Sequence, residues 1–388
     1  MGRGEMRRQG AAGVLVLPTF LAGFLVSFAS ACGDDLPRDE ICGPQRESPG
    51  FDIDAPFCER LSTYSLFADT GKQIAAEGVL PFTVRTTLFA DHADKDRFIV
   101  LPSGGAGDPM IWRDGEALEL PVGSVLVKTF SFPRDARDAS RPRQLLETRL
   151  LVHRARGWEG AAYVYDRNGE AKLAVEGAEL PVNWIDETGA QRHQEYLVPN
   201  KNQCKNCHEE AEGILSPLGP KARHLNGPGP AIAGDDGAIA NQLEHWIELG
   251  VLTNAPPKAQ WPQSAVAYDA SSGTLEQRAR AWLDVSCSHC HNPRGAARTS
   301  GLDLSLSATP AALGICKPPV ATGRGSAGRQ FDIVPGKPDE SIIMARLEST
   351  EPEVKMPELG RTLVDEQGVK LIREWISSMP GNCAPTAQ

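Results

Sequence analysis

The chain has 388 residues, 41% of them hydrophobic and 23% charged, with a formal net charge of −10. That length suits two or three globular domains, and the acidic balance gives no support to nucleic-acid binding. From Ser271 onward 13 basic and 13 acidic residues cancel, so the excess acid lies earlier and the last segment has no charge bias to steer a partner.

At the N-terminus Arg3, Arg7 and Arg8 precede an uncharged apolar run from Ala11 to Ala31 that ends in small residues before Cys32. Charge, hydrophobe and cleavage site in that order read as a secretory signal over residues 1–31. Ala29-Ser30-Ala31-Cys32, followed by Gly33-Asp34-Asp35, fits a lipoprotein signal with Cys32 lipidated and residues 32–50 as a linker. An ordinary cleaved signal and an uncleaved anchor helix interrupted by Pro18 are the alternatives. All three put the remainder outside the cytoplasm, on the periplasmic side of a membrane.

Residues 51–199 read as strands. Arg97 to Leu101, Ser124 to Phe130, Leu146 to His153, Ala161 to Tyr165, Ala171 to Val175 and Glu195 to Val198 are short runs rich in Val, Leu, Phe and Tyr, bounded by Gly, Pro and Asp. Asn168-Gly169 suits a type I′ hairpin turn, and Leu61 to Phe67 a short helix. A β-sandwich or twisted antiparallel sheet is expected. Asp91, His92, Asp94 and Lys95 cluster in a presumed loop, where turn chemistry accounts for them better than a metal site. Lys128, Glu147 and Arg149 fall within strand patterns and are expected to pair across the sheet, while Met110 and Trp112 read as packing residues.

Two copies of Cys-x-x-Cys-His follow. The first is Cys204-Lys205-Asn206-Cys207-His208 and the second Cys287-Ser288-His289-Cys290-His291. Each offers two thiols for thioethers with haem vinyl groups and an adjacent imidazole as proximal iron ligand. A zinc ribbon would set its pairs about 15–20 residues apart, whereas here the whole stretch from Glu209 to Ser286 intervenes.

Around the first motif, residues 200–270 read as a reduced haem module with one good helix, Ala238 to Leu249, ending at Gly250. No methionine occurs between Cys204 and Ile343. The sixth iron ligand there is another residue, a methionine from another domain, or nothing; His224 is the first candidate, with His245 and His193 behind it.

Residues 271–388 read as a cytochrome c-like domain. Leu275, Ala279, Trp282, Leu283 and Ser286 line one helix face that delivers Cys287 and Cys290. Leu371, Ile372, Trp375, Ile376 and Met379 repeat that period after Asp365, a good N-cap, and Asp339 can cap a helix running through Leu347. Met356, just before Pro357 in a loop, is the candidate sixth ligand of the second haem, because Met344 and Met379 fall on buried helix faces. His289 reads as an exposed spacer. With Cys32 and the four motif thiols set aside, Cys42, Cys58, Cys316 and Cys383 remain, and proximity pairs Cys42 with Cys58 and Cys316 with Cys383 in an oxidising compartment.

Leu88-Phe89-Ala90-Asp91, Lys95-Asp96-Arg97-Phe98-Ile99, Val122-Gly123-Ser124-Val125-Leu126-Val127-Lys128-Thr129-Phe130, Glu147-Thr148-Arg149-Leu150 and Pro199-Asn200-Lys201-Asn202-Gln203-Cys204 carry a resemblance. From about Phe51 the chain resembles a family of uncharacterised exported bacterial dihaem c-type cytochrome proteins with a β-rich region. Some members of that family are fused to quinoprotein dehydrogenases of the glucose/sorbosone type. Met356-Pro357-Glu358-Leu359-Gly360-Arg361 and the final helix resemble the general cytochrome c pattern. The resemblance implies haem binding and electron transfer.

The expected fold is α+β multidomain: a β-rich, sandwich-like N-terminal domain followed by two mainly α-helical cytochrome c-like modules. Two covalently attached haem c groups are the expected cofactors. The expected partners are a dehydrogenase donor, a cytochrome or oxidase acceptor, and a membrane reached through a lipid anchor. The alternatives are a dihaem enzyme of peroxidase type with an open first haem, and a β-domain that docks a partner and uses the haems as its outlet.

Overall fold

Side-chain alternation along the N-terminal strands builds one six-stranded antiparallel sheet in chain order. Its strands are β1 (Val79–Phe82), β2 (Asp94–Val100), β3 (Val125–Phe132), β4 (Gln144–Arg154), β5 (Gly157–Tyr165) and β6 (Ala171–Leu173). This computed structural model describes residues 42–105, 107–203, 208–211, 214–230, 239–320 and 322–384. The apolar run from Ala11, Cys32, and Cys204 and Cys207 of the first motif lie outside the described residues.

Both faces of the sheet are covered. On one, Phe98, Val100, Val125, Val127, Leu150, Val152 and Tyr163 pack against Phe57, Leu61, Tyr64 and Leu66. The other face divides into two apolar patches. Ile99 and Leu126 join Met110, Trp112, Leu225, Leu243 and Trp246, while Phe130, Phe132, Leu146 and Ala162 meet Val182, Tyr196 and Val198. The last three come from a separate hairpin, β7 (Ala178–Ile185) and β8 (Gln191–Val198). A buried side chain the size of Phe132 is stabilised by about 1.5–3 kcal/mol, so these patches fix which face each strand presents.

Among the described residues, five helices lie beyond the sheet: α1 (Ala222–Leu225), α2 (Gln242–Glu248), α3 (Leu275–Ser286), α4 (Ile342–Glu348) and α5 (Glu366–Ser378). Thr274 and Gln277 form a capping box at the start of α3, and Asp365 Oδ1 accepts from Gly368 N at the start of α5. Trp282 and Leu283 of α3 bury against Leu371, Ile372, Trp375 and Ile376 of α5. Disulfides join Cys42 to Cys58 and Cys316 to Cys383.

The expectation of two mainly α-helical modules is overturned. The molecule is β-rich, and α1 and α2 span only 4 and 7 residues. After His208 the chain pairs Glu209–Ala211 with Ile214–Leu215, and Leu252–Thr253 adds a parallel bridge to Met110–Ile111 beside the main sheet. Pro and Gly punctuate the stretch from Pro293 to Pro338, which therefore runs as turns and short 3₁₀ segments. Smaller expectations shift too. Asp339 lies in a 3₁₀ turn and Ser341 stands at the start of α4; Leu61–Tyr64 is 3₁₀; and in the Asn168-Gly169 turn Gly169 alone of the two has positive φ, so it is not type I′. The described residues form one compact unit by their contacts.

Candidate haem site

The second motif begins where α3 ends. Cys287 is the C-cap, and its carbonyl accepts from the backbone N–H groups of Cys290 and His291, a tight turn that holds both thiols and the imidazole together. Cys287 and Cys290 remain thiols in a chain whose other described cysteines are bridged. Burial, then the neighbouring Cys290, pushes the Cys287 thiol up to about 12.

The ring of His291 has one fixed orientation. Nδ1 lies 3.0 Å from Ser300 Oγ, and that hydroxyl donates its own proton to Ala297 O at 2.7 Å. Ser300 must therefore accept, Nδ1 carries the hydrogen, and Nε2 presents its lone pair. Burial, then the Arg346 charge, lowers His291 to about 4, so the imidazole is neutral at pH 7, as a metal ligand must be.

His208 of the first motif repeats this arrangement. Its Nδ1 lies 3.1 Å from Ser216 O, an atom that can only accept, so Nε2 is again the open nitrogen. Burial, then Lys128, lowers His208 to about 4. Two motifs 83 positions apart thus hold their histidines in the tautomer that iron ligation requires, by second-sphere acceptors of different chemistry. These donors fit a covalently attached haem: two thiols and an oriented Nε2 at the second motif, an oriented Nε2 at the first.

Met356 is half-buried in a loop fixed from several sides. Its N–H donates to Arg346 O at 2.9 Å, and its carbonyl accepts from Arg361 Nε at 3.1 Å and Nη2 at 2.8 Å. Arg361 is 5% exposed and also reaches Leu347 O, Ser349 O and Leu363 O. The charge of Arg361 acts on the Cys287 thiol and that of Arg346 on His291. Met344 is fully buried in the core of this region and Met379 packs at its edge.

The sheet contributes an unexpected group. Arg97, Lys128 and Arg149 stand directly opposite one another on β2, β3 and β4, with Lys95 two residues along on the same face. Unit charges as close as neighbouring Cβ atoms, about 5 Å at an effective dielectric near 20, would repel by roughly 3 kcal/mol per pair. Glu147, on this face, bonds to one of them. Glu147 is fully buried, accepts from Arg149 Nε at 2.9 Å and from Tyr196 Oη at 2.7 Å. Lys128 makes no hydrogen bond or ion pair among the described residues, and its ammonium stands 5.3 Å from the centre of the Phe130 ring. Burial, then Arg149, Arg97 and Lys95, lowers Lys128 to about 7.

The remaining candidates are placed elsewhere. His224 Nε2 bonds Asp284 Oδ2 at 2.7 Å and Nδ1 bonds Ser264 Oγ at 3.0 Å, which occupies both ring nitrogens. Asp284 also takes Arg223 bidentately at 2.9 Å through both oxygens. Burial opposes charge here, but these bonds from His224 and Arg223 hold the Asp284 carboxyl well below the usual carboxylate range. His193 is exposed beside Asn183 and Glu195, and His245 lies on α2. His289, expected to be exposed, is half-buried, and burial followed by His291, Lys221 and Lys128 lowers it to about 4. His92 is exposed and touches Phe89 and Trp184, while Asp91 is buried and serves the Met356 loop.

No family model, curated protein or solved structure matches this chain. The site therefore stands on its own geometry. Ser300, Ser216, Arg361 and the Arg97–Lys128–Arg149 row were not singled out as a set by the sequence. The row left one trace, three cations within strand patterns, which shows its meaning only once the register is known.

Proposed function

We propose that this chain is an exported dihaem c-type cytochrome that passes electrons between protein partners. The observation that supports it is the shared tautomer of His208 and His291, each with Nδ1 donating to a fixed acceptor and Nε2 open. Haem would supply one-electron iron chemistry within a site the protein shapes. Cys287 and Cys290, with Cys204 and Cys207, would hold the thioethers; His208 and His291 would ligate iron through Nε2, and Met356 would take the sixth position at the second motif. Arg361 and Asp91 hold the Met356 loop still, so little reorganisation accompanies a change of charge. The two disulfides suit an oxidising compartment, and the N-terminal signal with Cys32 suits a lipid-anchored protein on the periplasmic side. A dehydrogenase donor, of the quinoprotein kind that the sequence resemblance suggests, and a cytochrome or oxidase acceptor are the proposed partners.

Mass measurement of the full chain from a host with the c-type maturation machinery tests this reading. Two covalently bound haems are expected, with a far-red methionine-to-iron band that Met356→Ala abolishes. A chain that leaves the host without haem overturns it.

The occupation of both His224 nitrogens favours a second reading, an open first haem of peroxidase type. A high-spin ferric component that reacts with peroxide would select it; two low-spin haems would exclude it.

A further inference from the structure

We infer that the Arg97–Lys128–Arg149 row, with Lys95 beside it, is a binding site for a small multivalent oxyanion taken from solution, a di- or tricarboxylate or a phosphate. Nothing in this site depends on what the two Cys-x-x-Cys-His motifs hold.

Register fixes the charges in place. Arg97, Lys128 and Arg149 stand directly opposite one another on β2, β3 and β4, and Lys95 begins the next row on the same face, across from Phe130 and then Glu147. Neighbouring strands lie about 4.8 Å apart, so three cations fall within about 10 Å across the sheet and the fourth stands about 7 Å along it. Like charges set opposite one another destabilise a sheet. Elsewhere its cations meet carboxylates: Asp96 takes Arg143 at 2.8 Å, and Glu159 takes both Arg154 and Lys201 at 2.6 Å.

The bonds within the row do not cancel its charge. Arg149 donates to Glu147 through Nε at 2.9 Å, which accounts for one cation. Arg97 Nη1 donates to Lys95 O and Lys95 Nζ to Ala93 O, each at 3.1 Å, and both acceptors are neutral carbonyls. Lys128 has no hydrogen bond or ion pair among the described residues. The Phe130 ring does attract its neighbours, with its centre 4.3 Å from Arg149 Cζ, 5.3 Å from Lys128 Nζ and 6.0 Å from Lys95 Nζ. Contacts of that kind contribute about 0.5–2 kcal/mol each, less than the roughly 3 kcal/mol by which each neighbouring pair repels. Asp94 and Asp96 on β2 alternate to the opposite face and leave this one alone.

A multivalent oxyanion supplies what is missing. All four cations are partly exposed, Arg149 over 29% of its side chain, so an ion from solution can reach them. Lys128 at the centre offers its whole ammonium group, Arg97 and Lys95 the donors that their carbonyl bonds leave over, and Arg149 its charge. Charge-assisted hydrogen bonds from such groups are the strong ones for carboxylate and phosphate. Cations spread over three strands match an anion whose own charges are spread, which a single chloride or acetate is not.

Calorimetric titration of the full-length protein with citrate, succinate and inorganic phosphate, in a chloride buffer, tests the site. One saturable site is expected, and an anion at about 100 times its Kd should raise the melting temperature by roughly 5 °C or more. Lys128→Met should weaken binding by about tenfold or more, Lys128→Arg should largely keep it, and Arg97→Gln should weaken it and carries the test should Lys128→Met be insoluble. Tighter binding of citrate than of phosphate assigns a polycarboxylate, and the reverse order a phosphate. No saturable binding by the wild type, with Lys128→Met melting higher, would mean that the sheet merely tolerates the repulsion, which overturns the assignment. Binding unchanged by both Lys128→Met and Arg97→Gln overturns it too, because the anion would be an adventitious ion only, held elsewhere.

Discussion

Asp91 and Thr362, 271 positions apart, are joined by three hydrogen bonds: the Thr362 N–H lies 2.9 and 2.8 Å from the two Asp91 carboxylate oxygens, and Thr362 Oγ1 donates to Oδ2 at 2.8 Å. Leu363 N–H adds another at 2.9 Å. A loop before β2 thus grips the segment just past Met356 and Arg361. Asp91 holds a positive φ of 50°, a conformation in which a short polar side chain is tolerated. Asp91→Ala strands two partly buried backbone donors, and a loss of about 1–3 kcal/mol is expected in denaturant unfolding. In the haem-loaded protein the far-red methionine band should disappear before global unfolding, whereas a band that persists to the main transition would mean that the loop holds without Asp91.

On the haem reading, Ser300 would tune His291 without touching iron. Its hydroxyl accepts a hydrogen bond from Nδ1–H, which makes Nε2 more basic and would favour the ferric state of a bound iron. Ser300→Ala removes about 0.5–1.5 kcal/mol of that preference, so the potential of the second haem should rise by about 20–60 mV. The far-red band should remain, because Met356 is unaffected. A potential unchanged by Ser300→Ala would show that water replaces the hydroxyl as acceptor.

The N-terminal strands were legible because apolar side chains alternate through the strand centres: Phe98, Val100, Val125 and Val127 on one face and Ile99, Leu126 and Phe130 on the other give period two directly. Helices α3 and α5 were legible from the spacing of Trp282, Leu283, Ile372 and Trp375. What failed was scale. Two Cys-x-x-Cys-His runs suggested two helical modules, yet His291 is oriented by the backbone turn at Cys287 and by Ser300 Oγ, and His208 by Ser216 O, acceptors that loops supply as well as helices do. His224 looked like a ligand because nothing in the sequence shows that Asp284, 60 positions on, closes over it.

Asp284 makes a pH prediction with a definite sign. Its folded-state carboxyl titrates below the ordinary value near 3.8 because His224 and Arg223 bond the charged form. The unfolded chain therefore binds the proton first as pH falls, so this stabilisation is complete above about pH 5 and is lost on acidification through and below pH 4. Asp284→Asn should cost about 3–5 kcal/mol at pH 7, since it leaves Arg223 buried without its partner, and should flatten the acid limb of stability against pH. Urea midpoints measured from pH 3 to 7 check both; an unchanged acid limb would place the acid sensitivity in other carboxylates.

Gly368 sets two helix effects against each other. It lies inside α5, where alanine would gain about 1 kcal/mol from helix propensity. A Cβ at this position, however, would meet Trp282 Cε2 and Cζ2 of α3 at 2.6 Å and Asp365 Oδ2 at 2.5 Å. Neither neighbour can retreat freely: Trp282 is 2% exposed and its Nε1 donates to Asp365 Oδ2 at 3.0 Å, while Asp365 also caps α5 and accepts from Tyr268 Oη at 2.8 Å. Overpacking costs about 1–3 kcal/mol and loss of the cap about 1 more, so the clash outweighs propensity. Gly368→Ala should therefore destabilise by about 1–3 kcal/mol, with a lower melting temperature and a changed tryptophan emission. A more stable Gly368→Ala would mean that α3 and α5 separate at little cost, and with them the platform that carries Cys287.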